Sequence, residues 1–196
     1  MGKRAVAEAG GEPMVIGSIP DDPDALRTAL LSAASCDLIV STAGVSVGVH
    51  DHVRRVLAEI GRIEVWGVAA RPGKPLVIGA VGHTPFLGLP GNPVSSAVMF
   101  ELFARTAIRA MQGAAEPARR RLAVRLGEPV GTPMHLETFL RVALSTGVDG
   151  IPVAHLSGGQ GSAMLRPLAA ADAVAIVPAG VDQLPAGAIV NALELA

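Results

Sequence analysis

Cysteine is almost missing from this chain. Cys36 stands alone, so no intrachain disulfide can form and no metal centre can be built from thiolates, a usage that fits a reducing cytoplasm. Between a helical stretch and an apolar run, Cys36 reads as a packing residue. Charge is sparse as well: 17% of residues are charged, and the net charge is −1. A nucleic-acid binder carries a basic patch that neutralises phosphates. The one basic cluster here, Arg119-Arg120-Arg121, is short and reads as a solvated face. No stretch approaches the roughly 20 consecutive apolar residues of a membrane span. The N-terminus, Met-Gly-Lys-Arg-Ala-Val-Ala-Glu, lacks the apolar core of a secretion signal. No internal repeat and no low-complexity window is present. The five histidines have no ligand spacing; even His50 and His52 lie two apart, and such residues do not face each other on a helix. No Gly-x-Ser-x-Gly elbow prepares a serine nucleophile. Nucleic acid and membrane are thereby excluded as partners, and a cytoplasmic globular protein is expected.

What the chain has in quantity is glycine and proline, 23 and 15 residues. Many fall in three turns: Ser41-Thr42-Ala43-Gly44-Val45-Ser46-Val47-Gly48, Arg71-Pro72-Gly73-Lys74-Pro75, and Gly88-Leu89-Pro90-Gly91-Asn92-Pro93. Each stands where a strand pattern gives way to a loop or helix. Small residues let backbone amides approach a ligand closely, and helix N-termini offer free N–H groups to an anion. Three such turns in succession describe one surface built for an anionic ligand.

The apolar pattern organises the rest. Half the residues are hydrophobic, ample for a core at this length. Residues 3–9 read as a helix end, and Met14-Val15-Ile16 as a short buried strand. Asp22 and Pro23 open a helix that runs to about Ser35. Asp37 to Ser41 reads as a parallel strand buried on both faces. Asp51 to Ile60 is a helix stopped by Gly61. Ile63–Val68, Leu76–Ala80 and Pro85–Leu89 are strands, and Asn92 caps a long helix from Pro93 to about Met111. Alternating strands and helices predict an α/β domain over 1–113 with a doubly wound, mostly parallel sheet. Its opening central strand is missing, so the domain is incomplete at its start. Gln112 to Pro117 is a linker. Over 118–196, short apolar segments (122–126, 139–144, 151–153, 173–177 and 188–195) alternate with Gly/Pro turns, which predicts a small all-β barrel-like domain.

Several side chains in these turns suit anion and metal chemistry. Asp51, just past the first glycine loop, fits either a helix cap or a Mg²⁺ ligand beside a phosphate. Asp21 and Asp22 precede a helix and fit caps, metal ligands or a general base. Lys74 is one cation in a backbone fixed by two prolines and a glycine, which suits a phosphate or oxyanion, and Arg71 is a second cation nearby. Thr42, Ser46, Ser95 and Ser96 can donate to an anion or serve as turn and cap hydroxyls. In the β-rich part, Gly158-Gly159-Gln160-Gly161-Ser162 is a further glycine turn, and Arg141 stands on a strand before it.

The Ser46 to Asp51 segment, Pro-Gly-Lys-Pro, Gly-Leu-Pro-Gly-Asn-Pro-Val-Ser and the later Gln-Gly-Ser occur in one order. That order and spacing resemble the molybdopterin molybdenumtransferase family, which includes MoeA and the E domain of gephyrin. The resemblance runs from Ala5 to Leu195. It implies most of the family's third domain, an α/β molybdopterin-binding domain, followed by its fourth, a small β domain. It also implies molybdenum cofactor biosynthesis: molybdopterin adenylate and molybdate as substrates, Mg²⁺ as the metal, hydrolysis of the adenylate, and a homodimer with its site between subunits. A non-catalytic molybdopterin-binding or scaffold module is the alternative.

The resemblance assigns residues. Asp21 and Asp51 become active-site or metal carboxylates. Lys74 and Arg71 hold pterin phosphate or molybdate, and Lys74 joins the catalytic set. Thr42, Gly44, Ser46, Gly48, Gly73, Pro90, Gly91, Asn92 and Ser95 line the ligand. Arg141 and Ser162 reach molybdate. The chain departs from the pattern in places: Ala43-Gly44 stands for Gly-Gly, Arg71 for lysine, and Val49 for a polar residue. The Thr-Gly-Asp-Glu-type strand and loop that opens the third domain, and the family's first two domains, are missing.

Overall fold

The structure is a computed structural model that describes residues 2–43 and 50–195, with the side chains of His50 and Asp51 outside the description. Gly44, Ser46 and Gly48 therefore lie outside the described residues. The chain forms two compact units. The first comprises residues 1–68 and 73–118, the second residues 69–72 and 119–196.

The first unit is α/β. Its elements are α1 (Gly2–Glu8), α2 (Pro23–Ala33), β1 (Ile39–Thr42), α3 (His50–Ile60) and β2 (Gly61–Trp66). After β3 (Ala70–Arg71), which belongs to the second unit, come β4 (Val77–Val81), β5 (Thr84–Leu89), α4 (Pro93–Met99) and α5 (Arg105–Met111). Helix α2 starts where the local chemistry says it should: Asp22 Oδ2 accepts from Ala25 N at 2.7 Å, and Pro23 follows in the first turn. Val53, Val56 and Leu57 form the apolar stripe of α3. With Leu30 and Ala33 of α2 they cover Ile39, Val77, Val81 and Phe86 of the sheet. The long helix expected from Pro93 forms over its full length, with one π turn (Phe100–Ala104) between α4 and α5.

The sheet has the order β1-β5-β4-β2. Its parallel character is confined to β1 and β5; β5–β4 and β4–β2 are antiparallel, so the sheet is mixed rather than mostly parallel. The reason is local. Gly82 and His83 alone join Val81 to Thr84, which are register partners, with Gly82 at φ 56°. A two-residue turn can only return the chain antiparallel, whereas parallel neighbours need a crossover of about a dozen residues or more. The expected strand at Met14-Val15-Ile16 is not formed. These residues lie in irregular chain and are 60%, 65% and 46% exposed. An apolar triplet becomes a buried strand only when a neighbour satisfies its backbone groups, and none of the described strands pairs with it.

The second unit holds β6 (Arg121–Leu126), β7 (Val130–Gly131), β8 (Glu137–Ser145), β9 (Val153–Leu156), α6 (Leu165–Ala169), β10 (Ala173–Val177), β11 (Gln183–Leu184) and β12 (Ile189–Glu194). Pairing runs β10-β12-β6-β9-β8, and β8 pairs again with β10. The ring is thus closed by five strands, so that each has a partner on both sides over part of its length. Val124, Leu126, Leu140, Val142, Ala175, Val177 and Ala192 fill its interior. Strand β3 adds to β8 in parallel, with Arg71 opposite Thr138. The β7–β11 pair and α6 were not visible in the sequence pattern: two-residue strands have no period, and Pro167 sits inside α6.

Candidate functional site

In the α/β unit the register brings the glycine turns to one edge of the sheet. Thr42, the last residue of β1, is level with Leu89, the last residue of β5. Beyond them Ala43 N donates to Leu89 O at 3.2 Å, and a Cβ placed on Gly91 would lie 3.3 Å from Ala43 Cβ. Because β4 runs antiparallel, its start faces the end of β5, with Val77 opposite Gly88. The Gly73-Lys74-Pro75 loop therefore enters at the same edge. This is the carboxyl edge of the parallel pair, the side where open α/β sheets bind ligands.

The loop that carries Lys74 is fixed by its neighbours. Lys74 O accepts from Val68 N at 3.0 Å and from Leu76 N at 3.1 Å. Gly73 sits at φ 122°, where a Cβ would come within 2.5–2.7 Å of the Met99 side chain. Glycine is thus required there by conformation and by space together. The lysine side chain is exposed at the end of this rigid stem. Next to the β1 end, Ala43 holds φ 71°, a left-handed conformation that costs an alanine about 1–2 kcal/mol.

The helices bring their N-termini to the same edge. Thr84 Oγ1, at the start of β5, donates to Ala34 O at the end of α2. That contact fixes the end of α2 at the amino edge of β5, so its beginning, with Asp21 and Asp22, returns to the carboxyl edge. Gly82 N donates to Ile60 O, which anchors the end of α3 in the same way and puts residues 50 and 51 at its far end. Asp21 is exposed, while the Asp22 carboxylate is engaged as the cap of α2. Asn92 is at the cap position of α4, and its carbonyl accepts from Ser96 N at 2.8 Å. Pro90 and Ser95 are buried, and Gly91 and Asn92 are exposed. Among the described residues no cluster of three or more His, Cys, Asp or Glu side chains could hold a metal.

Arg71, Arg141 and Ser162 belong to the β unit. Arg71 is exposed on β3 and Ser162 is half-buried. Arg141 is fully buried on β8, and desolvation lowers its guanidinium pKa below the ordinary value. Nη2 donates to Gly159 O at 3.0 Å and Gly161 O at 3.3 Å. Nε and Nη1 are buried with no partner.

Residues 3–110 match the family described as "Probable molybdopterin binding domain", and residues 123–195 match "MoeA C-terminal region (domain IV)". The molybdopterin molybdenumtransferase of Nostoc sp. is 36% identical over 97% of this chain and 45% of its own length. The chain belongs to the molybdopterin molybdenumtransferase family. Another member, molybdopterin molybdenumtransferase 1 of Mycobacterium tuberculosis, is 32% identical over 98% of this chain and 48% of its own length. A solved molybdopterin biosynthesis MoeA protein from Pyrococcus horikosii superposes with a TM-score of 0.79 at 28% identity, over all of this chain and 48% of that one. The chain spans about half the length of these molybdenumtransferases.

Three polar side chains have a setting that the sequence does not show. His52 Nδ1, in the first turn of α3, and Ser96 Oγ, in α4, are buried without a partner. The Gln160 side chain bonds to the Arg141 backbone. Ser96 follows the Gly-Leu-Pro-Gly-Asn-Pro block, which is a signal of sorts. Gln160 stands in the Gln-Gly-Ser motif, which marks its position but not its bonds, and His52 carries no signal, because burial and hydrogen bonding appear only after folding.

Proposed function

We propose that this chain carries the pterin-binding and C-terminal domains of a molybdopterin molybdenumtransferase, which inserts molybdate into adenylylated molybdopterin as the adenylate is hydrolysed. The observation that carries the reading is the meeting of the β1 end, the β5–α4 turn and the Lys74 loop at one sheet edge. The start of α3 lies at that edge, and a helix N-terminus suits phosphate groups. Lys74 supplies a mobile charge on a fixed stem, suited to a phosphoryl oxygen. In the β unit, Arg141 offers unused donors to molybdate, with Ser162 in the adjoining turn.

Mg²⁺ is the metal this reading calls for. The ion takes one or two carboxylates and fills its remaining positions with water and phosphate oxygens, and the exposed Asp21 carboxylate stands at the right edge, as does residue 51. Asp21 and Asp51 would hold it. When bound, it neutralises phosphoryl charge and polarises the bond to be broken. The rigid loop and helix starts orient the adenylate, and Lys74 steadies the developing negative charge. We also propose a cytoplasmic homodimer, which light scattering tests directly; a monomer mass refutes it.

The test is calorimetric titration of the chain with molybdopterin adenylate and Mg²⁺ at low and high salt, with adenylate release followed in parallel. Salt-sensitive binding and release, the latter lost in Asp51→Asn, are expected. Binding without release favours the second reading, a non-catalytic molybdopterin-binding module, in keeping with the half-length match. Absence of binding rejects both.

A further inference from the structure

Arg141 is held by an unusual reciprocal arrangement. On β8, Leu140 and Val142 point into the barrel core, so alternation turns Arg141 to the opposite face. Its backbone N–H and C=O point toward β9, but that pairing stops at Val142 and Leu156. Ser157 continues it, its N–H and its Oγ–H each donating to Arg141 O at 3.0 Å. Beyond that the Gln160 side chain replaces the missing strand. Its Oε1 accepts from Arg141 N at 2.9 Å, and its Nε2 donates to Arg141 O at 3.1 Å and Gly158 O at 2.8 Å. In return, the Arg141 guanidinium binds the carbonyls of Gly159 and Gly161 through Nη2. The arginine backbone is clasped by the turn's side chain, and the turn's backbone by the arginine side chain.

This clasp decides which donors remain. Gly158 O is taken by Gln160, and Gly159 O and Gly161 O by Nη2. Nε and Nη1 are then left buried and unpaired. A buried cation with unused N–H groups is costly unless an acceptor arrives. We infer that Gln160 is a positioning residue for anion capture: its amide locks Arg141 and the 158–161 turn so that Nε and Nη1 stay unpaired, as donors for an oxyanion. The inference rests on the reading of Arg141 as a molybdate-binding group. Only an amide can do this work, because it accepts from one backbone N–H while donating to two carbonyls. A carboxylate at 160 keeps the acceptor, loses both donations, and adds a charge that draws the guanidinium away.

The experiment uses the whole chain with molybdate alone as the probe. Affinity is measured by calorimetry, and the Arg141 Nε–H resonance is followed by NMR. Arg141→Ala is expected to lower affinity at least tenfold. Gln160→Glu and Gln160→Met, the latter keeping side-chain bulk, are expected to lower it at least fivefold and to abolish the molybdate-induced shift of the Nε–H signal. The double variant Arg141→Ala/Gln160→Met should bind no more weakly than Arg141→Ala, because Gln160 acts through the arginine. If both Gln160 variants bind within twofold of wild type while Arg141→Ala does not, the positioning role is wrong and the anion role of Arg141 stands. If the unsubstituted chain does not bind molybdate, or Arg141→Ala binds as it does, the anion role fails and the inference falls with it.

Discussion

Replacing Gly73 by alanine tests the account of the Lys74 loop at its most constrained point. The residue sits at φ 122°, and the added Cβ would approach Met99 Cε, Sδ and Cγ at 2.5, 2.6 and 2.7 Å. Met99 is fully buried, so it has no solvent into which to turn. Backbone strain at such a φ contributes about 1–3 kcal/mol, and overpacking a filled core about 1–3 kcal/mol more. Restricting the unfolded chain offsets roughly 0.4–1 kcal/mol. The expected loss is about 3 kcal/mol, a fall in Tm of about 10 °C for a unit of this size. Thermal and urea denaturation measure it. The steric part is isolated by Met99→Ala: the double variant should lose less than the sum of the two single ones by about 1–3 kcal/mol. A Gly73→Ala protein with unchanged Tm, or strict additivity with Met99→Ala, refutes the claim that glycine is required here by both conformation and space.

Lys74→Ala should weaken binding of molybdopterin adenylate by about 1–3 kcal/mol, the scale of a charge-assisted hydrogen bond, with little change in Tm; calorimetry showing equal affinity removes Lys74 from the site. Asp22→Ala should cost about 1 kcal/mol of stability through loss of the bond to Ala25 N, read from urea melts, whereas Asp21→Ala should cost almost nothing. In the β unit, the Ile151 N–H, and then Arg125, hold the Asp149 carboxyl below its ordinary pKa. The stabilisation is therefore complete above the unfolded carboxyl value, near pH 4, and is lost as pH falls through the lower folded value. The stability difference between wild type and Asp149→Asn should be present at pH 6 and shrink toward pH 3; a constant difference contradicts this.

The glycine turns at Gly73 and Gly91, the Asp22 cap and the β-rich second half were legible because each depends on a few adjacent residues. Asp22-Pro23 encodes a helix start whatever surrounds it, and the apolar stripe of α3 repeats at helical spacing. Met14-Val15-Ile16 misled for the converse reason. Its composition suits a buried strand, but burial requires a pairing partner, and composition cannot supply one.

By itself, then, the sequence determined the starts of α2 and α4, the positions of the Lys74 and Gly91 turns and the motif order that assigns the family, all features of short-range chemistry. The reversal of β4 against β5 is itself local, set by the two-residue turn at Gly82-His83, whereas tertiary structure decided that β1 pairs with β5 in parallel. It also decided that the Lys74 loop meets the ends of β1 and β5, because Val77 is level with Gly88. Above all it decided the state of Arg141. A strand residue by pattern, it becomes a buried cation with unused donors, because β9 ends one residue too soon and Gln160 closes the gap. Register, closure and burial join residues far apart in the chain, and no local pattern specifies them.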